Sequence, residues 1–250
     1  MKTTEFICLL KERCQKAADR KALAAGMPIG VADNGELVLA RKTEKTFAVQ
    51  NTCVTGTRKT AFIKRLVLSL SRLYTPAEAN FFILSPYTEY GELLKLDGAD
   101  ITVPFVRSKE DLQAVRDCLV KLTELYDKET QCLKLFLILD GLEELDGCNK
   151  NADFEEYRDL FELLVRRQNV EVISGVELMK SIFSGYPGAF VGLGNCLVTT
   201  REHGRADVTF VGEDSSLSLP LTITYADLPT VEETVMQFNA EKTKIAGEDE

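Results

Sequence analysis

Histidine is almost missing from these 250 residues, with His203 the sole example. The seven cysteines, at positions 8, 14, 53, 118, 132, 148 and 196, are odd in number and include no CxxC pair. These two shortages leave a zinc site short of ligands. Scattered thiols, several of them within apolar runs, read as reduced and buried rather than as a disulfide framework. Positive charge is also in deficit: 30 Lys and Arg stand against 39 Asp and Glu, for a formal net charge of −9. Such a surface repels polyanions, so no nucleic-acid partner is expected. Long hydrophobic runs are lacking too. The N-terminus offers Phe6 to Leu10 before Lys11-Glu12-Arg13, too short for a signal peptide or a membrane span, and the chain as it stands is expected to be soluble and intracellular.

What is present is an ordinary globular balance, 45% hydrophobic and 28% charged residues, in a chain long enough to bury a sizeable core. Residues 4 to 25 carry apolar side chains at helical spacing and end at Gly26. Residues 1–26 therefore read as an N-terminal helix or linker, and 27–245 as a single domain. "MPIGVADNGELVLA" (27 to 40) places Asn34-Gly35 between apolar runs and predicts a hairpin. Strand-like runs follow at 46–50, 80–85, 101–106, 133–139, 170–174 and 195–200. Helical patterns lie between them at 58–73, 89–95, 108–127, 153–168 and 175–184, and a last one covers 230–242. The alternation predicts an α/β fold, a mostly parallel sheet flanked by helices. "DVTFVGEDSSLSLPLTITYADL" (207 to 228) adds an antiparallel C-terminal edge hairpin.

One stretch bears on chemistry. "NTCVTGTRKT" (51 to 60) ends in Lys59-Thr60 like a phosphate-binding loop GxxxxGK[ST], whose backbone N–H groups wrap phosphates while the Lys reaches them and the hydroxyl holds Mg²⁺. In that alignment Cys53 and Arg58 replace both glycines, and Gly56 between them restores neither. A Cβ in a left-handed conformation costs about 1–2 kcal/mol, so the loop geometry is compromised, although the Arg58 guanidinium could attract an anion. The second half of such a site is an apolar strand ending in Asp, and "LKLFLILDG" supplies Asp140. The next residue, where many ATPases place a water-activating glutamate, is Gly141. Glu143, Glu144 and Asp146 read as a solvated acidic loop. The degenerate nucleotide-binding set is thus Gly56, Thr57, Arg58, Lys59, Thr60 and Asp140. No catalytic residue and no metal site are assigned, no cofactor is expected, and ATP with Mg²⁺ stays open as an alternative.

These residues, together with "YTPAEANFFIL" (74 to 84), "YRDLFELLVRRQNVEVIS" (157 to 174) and "CLVTTREHGRADVTFVG" (196 to 212), resemble the FtsK/SpoIIIE group of RecA-like motor ATPases. Within that group the chain is most similar to the C-terminal ATPase domains of the type VII secretion ATPases EssC and EccC. It departs from their active members in four places. The loop glycines are replaced, and "SPYTEYGEL" (85 to 93) stands where an Asp-x-Lys-Gly-Gly-like segment is usual. Ser174-Gly175 replaces a polar sensor, and Ala206 replaces the second glycine of a Gly-Arg-Gly-Asp turn. The resemblance implies a pseudo-ATPase domain of a membrane-anchored motor, on the cytoplasmic face. Its implied partners are secreted helical-hairpin proteins of the WXG type, or their C-terminal signals, and neighbouring ATPase domains, with possible oligomerisation. A working ATPase with an unusual loop and a DNA-translocase module are the alternatives.

Other candidates have simpler explanations. Arg65 and Arg72 read as a solvated basic stripe, and Arg166 and Arg167 as cations at a helix C-terminus. His203 reads as a turn residue. Cys53 reads as a thiol buried in the filled loop, and the apolar loop 184–195 as packed on the sheet or as a binding surface.

Overall fold

The computed structural model describes residues 26–41, 51–56, 58–97, 99–105, 109–126, 133–141, 169–175, 196–202, 204–210 and 218–225. The expected helices at 4–25, 153–168, 175–184 and 230–242 lie outside these residues or almost wholly so. The described strands are β1 (Gly26–Ala32), β2 (Leu37–Arg41), β3 (Asn51–Gly56), β4 (Ala79–Leu84), β5 (Asp100–Thr102), β6 (Lys134–Leu139), β7 (Val170–Gly175), β8 (Cys196–Thr200), β9 (Arg205–Phe210) and β10 (Leu221–Thr224). The described helices are α1 (Lys59–Leu73), α2 (Lys109–Tyr126) and a 3-10 helix over Thr88–Lys95.

All ten strands join one sheet in the order β2-β1-β10-β9-β8-β3-β7-β6-β4-β5. From β8 to β5 every pairing is parallel, and from β8 to β2 every pairing is antiparallel. This is the expected α/β architecture. The C-terminal hairpin β9-β10 is antiparallel as anticipated, and the N-terminal hairpin adds outside it, which makes β2 the edge strand. Its turn is fixed by Asn34, whose Oδ1 accepts from the Glu36 amide at 3.0 Å while its Nδ2 donates to Glu36 Oε2.

Burial follows the pairing. β7 is buried at all six positions and β6 at five of six, as expected where a parallel sheet is covered on both faces. β8 and β9 mix buried with exposed positions. Helix α1 is buried continuously from Phe62 to Leu70, and Phe62 meets Tyr225, just after β10, edge to face at 4.8 Å. The expected solvated basic stripe on this helix does not form at Arg65. That residue is 9% exposed, with its guanidinium 5.4 Å from the centre of the Tyr225 ring. A planar, weakly hydrated cation can lie on an aromatic face where an ammonium would stay in water. The side chain of Arg72 lies outside the description.

The segment "YTPAEAN" acquires a structural reason residue by residue. Glu78 Oε2 accepts from the amide and hydroxyl of Thr75 at 2.8 and 3.0 Å, closing the turn into β4. Asn80 Nδ2 donates to the Tyr126 hydroxyl at 3.3 Å, tying the end of α2 to that strand. The Tyr74 hydroxyl accepts from Lys134 Nζ at 3.4 Å. Lys134, the first residue of β6, in turn pairs with Glu171 of β7 at 2.7 Å, and both side chains are largely buried. Burial pulls the Lys134 ammonium down, but Glu171 and Tyr74 together outweigh it and hold it above the ordinary lysine value of 10.5. Burial pushes the Tyr126 phenol up to about 12.

Both groups hold their protons more tightly folded than unfolded, so what they add to stability is complete below about pH 10 and is lost as pH rises through the folded values. Urea titrations should therefore show stability falling between roughly pH 10 and 12. Lys134→Met, which leaves Glu171 buried without its cation, should lower stability at neutral pH by about 3 kcal/mol and flatten the alkaline slope.

Candidate functional site

The carboxyl ends of the parallel strands all face one edge, where ligands of open α/β sheets bind. Gly56 closes β3, Asp140 follows β6, Ser174 and Gly175 end β7, and Thr200 ends β8. β7 separates the strand leading to Lys59-Thr60 from the strand leading to Asp140.

The connection from β3 to α1 is short. Alignment with GxxxxGK[ST] places residues 53 to 58 in a turn wrapped around phosphate. Instead Cys53 and Val54 pair with Ser174 and Gly175 of β7, and Cys53 to Gly56 pair with Leu197 to Thr200 of β8. The strand-like run expected at 46–50 falls outside the described residues, and the strand itself occupies 51–56. Because α1 begins at Lys59, only Thr57 and Arg58 connect the two elements. The backbone that would curl into a loop is held by the parallel ladders on either side.

Gly56 is required here for the sheet. It has φ +100°, and a Cβ would fall on the carbonyl oxygen of Thr200. The Thr200 hydroxyl donates to the Thr55 carbonyl at 2.8 Å and accepts from the Arg58 amide at 3.4 Å. Arg58 is the N-cap of α1 with its side chain exposed, and Lys59 is half-buried. Thr57 and the side chain of Cys53 lie outside the description.

Thr60 and Asp140, 80 positions apart in sequence, are brought together: the Thr60 hydroxyl donates to Asp140 Oδ2 at 2.6 Å. The same oxygen accepts a second hydrogen bond, at 2.9 Å, from the hydroxyl of Tyr90 in the 3-10 helix. Asp140 and Tyr90 are both fully buried. A hydrogen bond to a charged acceptor contributes about 1.5–3 kcal/mol, so the two hydroxyls offset part of the desolvation of this carboxylate. Burial, then the adjacent Asp140 charge, pushes the Tyr90 phenol well above its ordinary value. Asp140 Oδ1 is buried with no hydrogen-bond partner among the described residues. Tyr87 packs over the next residue, Gly141, which has φ +73° and where a Cβ would lie 2.5 Å from the Tyr87 ring.

Sequence reasoning found Thr60 and Asp140 but missed Tyr90, Tyr87 and Thr200. The signal for the tyrosines was the departure at 85 to 93, which identified a changed segment without saying where its side chains would go. Glu143, Glu144, Asp146, Arg166, Arg167, His203 and the loop 184–195 lie outside the described residues. Among the described residues no cluster of three or more His, Cys, Asp or Glu side chains could hold a metal ion.

The same sheet and helix arrangement recurs in solved structures. The cytoplasmic domain of the Thermomonospora curvata type VII secretion ATPase EccC superposes with a TM-score of 0.54 at 13% identity, over 84% of this chain and 30% of that one. EssC (ATPases 2 and 3) from Geobacillus thermodenitrificans gives 0.52 at 14% identity, over 88% and 49%. This chain has their fold. Thermomonospora curvata EccC (ATPases 2 and 3), in complex with a signal sequence peptide, gives 0.55 at 14% identity, over 84% and 42%. The chain thus spans less than half the length of each. No protein-family model and no curated protein matches the sequence.

Gly56→Ala should lower stability by about 2 kcal/mol or more, from left-handed strain together with the collision at Thr200. Urea unfolding measures this directly. A loss below roughly 0.5 kcal/mol, the range of an ordinary surface change, would mean that β3 does not pair through Gly56.

Proposed function

We propose that this chain is a non-catalytic RecA-like module of a type VII secretion motor, serving substrate recognition or the regulation and assembly of the machine. The observation that carries the non-catalytic reading is the pairing of β3 as far as Gly56, which leaves two residues between strand and helix. Phosphate wrapping requires successive backbone N–H groups turned toward one anion. Here Cys53 to Gly56 lie in the sheet, and the Arg58 amide donates to Thr200. Mg²⁺–ATP therefore does not fit the residues present. Gly141 offers no base where water would be activated.

The secretion reading is supported by the shared fold. One of the solved neighbours is in complex with a signal sequence peptide, which makes the C-terminal signals of secreted helical-hairpin proteins the first ligands to try. Neighbouring ATPase domains of the same motor are the second class of partner. The module belongs on this reading to a membrane-anchored protein and lies on the cytoplasmic face. No described helix is long and apolar enough to cross a membrane.

One observation favours a second reading, a nucleotide-binding ATPase with an unusual loop: Thr60 and Asp140 remain within 2.6 Å of each other. A DNA-translocase module is opposed by the net charge of −9.

Thermal unfolding with and without millimolar Mg²⁺ and ATP separates these readings. A ligand at 100 times its dissociation constant adds about 2.7 kcal/mol. An unchanged midpoint is expected, and a rise would overturn the non-catalytic reading. Saturable binding of a secreted protein's C-terminal peptide, measured by calorimetry, would support the recognition role.

A further inference from the structure

The segment at 85–93, where the sequence departs from active relatives, folds largely as the 3-10 helix and places Tyr90 on Asp140. We propose that this segment is a built-in plug of a cation position: the Tyr90 hydroxyl occupies the Asp140 oxygen that a divalent cation would take, and Lys64 keeps the plug seated. The inference rests on the non-catalytic reading and names the residues that keep the site closed.

The geometry of Asp140 is the first support. Its Oδ2 accepts from Thr60 at 2.6 Å and from Tyr90 at 2.9 Å, while Oδ1 is buried without a hydrogen-bond partner among the described residues. Two hydroxyl donors on one oxygen leave the carboxylate with unmet accepting capacity. A hard cation with oxygen ligands would complete it if the phenol withdrew.

The second support is the way the segment is held. Lys64, 6% exposed, sits one helical turn after Thr60 and pairs with Glu92 at 3.0 Å and with Glu89 at 3.7 Å. Residues four apart share a helix face, so the helix that offers the Thr60 hydroxyl also grips both sides of Tyr90. Tyr87 completes the arrangement. The end of its ring lies where a Cβ at position 141 would project, and Gly141 has φ +73°, so a side chain there would displace Tyr87 and strain the backbone.

The test uses Mn²⁺ alone, followed by the paramagnetic resonance of the free ion, on the 250-residue chain and on Tyr90→Phe, Lys64→Met and the double variant Tyr90→Phe with Asp140→Asn. Removing a hydroxyl that donates to a charged acceptor should tighten Mn²⁺ binding by roughly tenfold or more. Asp140→Asn should abolish that gain. Lys64→Met should give a smaller gain in the same direction, and it decides the matter if Tyr90→Phe does not fold. A folded Tyr90→Phe that binds Mn²⁺ no tighter than wild type overturns the proposal, as does a gain that survives Asp140→Asn. Where Tyr90→Phe fails to fold, a Lys64→Met protein indistinguishable from wild type overturns it. A rise in the wild-type midpoint with Mg²⁺ and ATP would defeat the non-catalytic reading. A silent Tyr90→Phe with no such rise would defeat the plug alone.

Discussion

A carboxylate taken wholly out of water at the end of a central strand needs hydrogen-bond donors, and Asp140 is in that position. β6 carries it to the carboxyl end of the parallel strands, and its backbone amide is fixed by the Leu84 carbonyl at 3.1 Å. Its side chain then draws three elements together: β6 itself, α1 through Thr60, and the 3-10 helix through Tyr90. In this structure the carboxylate is an internal fastener. Two of the protein's own hydroxyls, those of Thr60 and Tyr90, share one of its oxygens.

The opposite end of the same strand meets a similar demand by a different route. Lys134 and Glu171 bring full opposite charges into a largely buried site, with the ammonium 5.2 and 5.6 Å from the ring centres of Tyr74 and Phe136. A buried ion pair is weak support for net stability, because desolvation offsets much of the attraction, but breaking it strands a charge. Its effect is to favour one register, since a slipped β6 or β7 would leave Lys134 or Glu171 alone among apolar side chains. β6 is thus pinned at both ends by polar groups and filled between them by apolar ones.

Much of the fold was legible because it depends on local pattern. The strands β4, β6, β7 and β8, the helices α1 and α2 and the hairpin at Asn34-Gly35 all fall within a residue or two of their expected spans, since apolar periodicity and turn chemistry act over short stretches. The strand at 51–56 was missed for a physical reason. Asn51 and Gly56, at its two ends, are poor strand signals taken alone, and they are held in strand by pairing with β7 and β8 respectively, far away in sequence. Arg65 was misread in the same way, because nothing near it in sequence announces Tyr225, 160 positions away.

The sequence by itself determined the α/β class, the apolar strand ending in Asp140 and the loss of both loop glycines, because these are properties of short stretches read one at a time. Only the tertiary structure decided what those residues do. Tyr90 meets Asp140 across 50 positions, Gly56 meets Thr200 across 144, and Lys134 meets Glu171 across 37. Contacts at such separations follow from strand order, and strand order is settled by how whole faces bury against one another rather than by any single stretch.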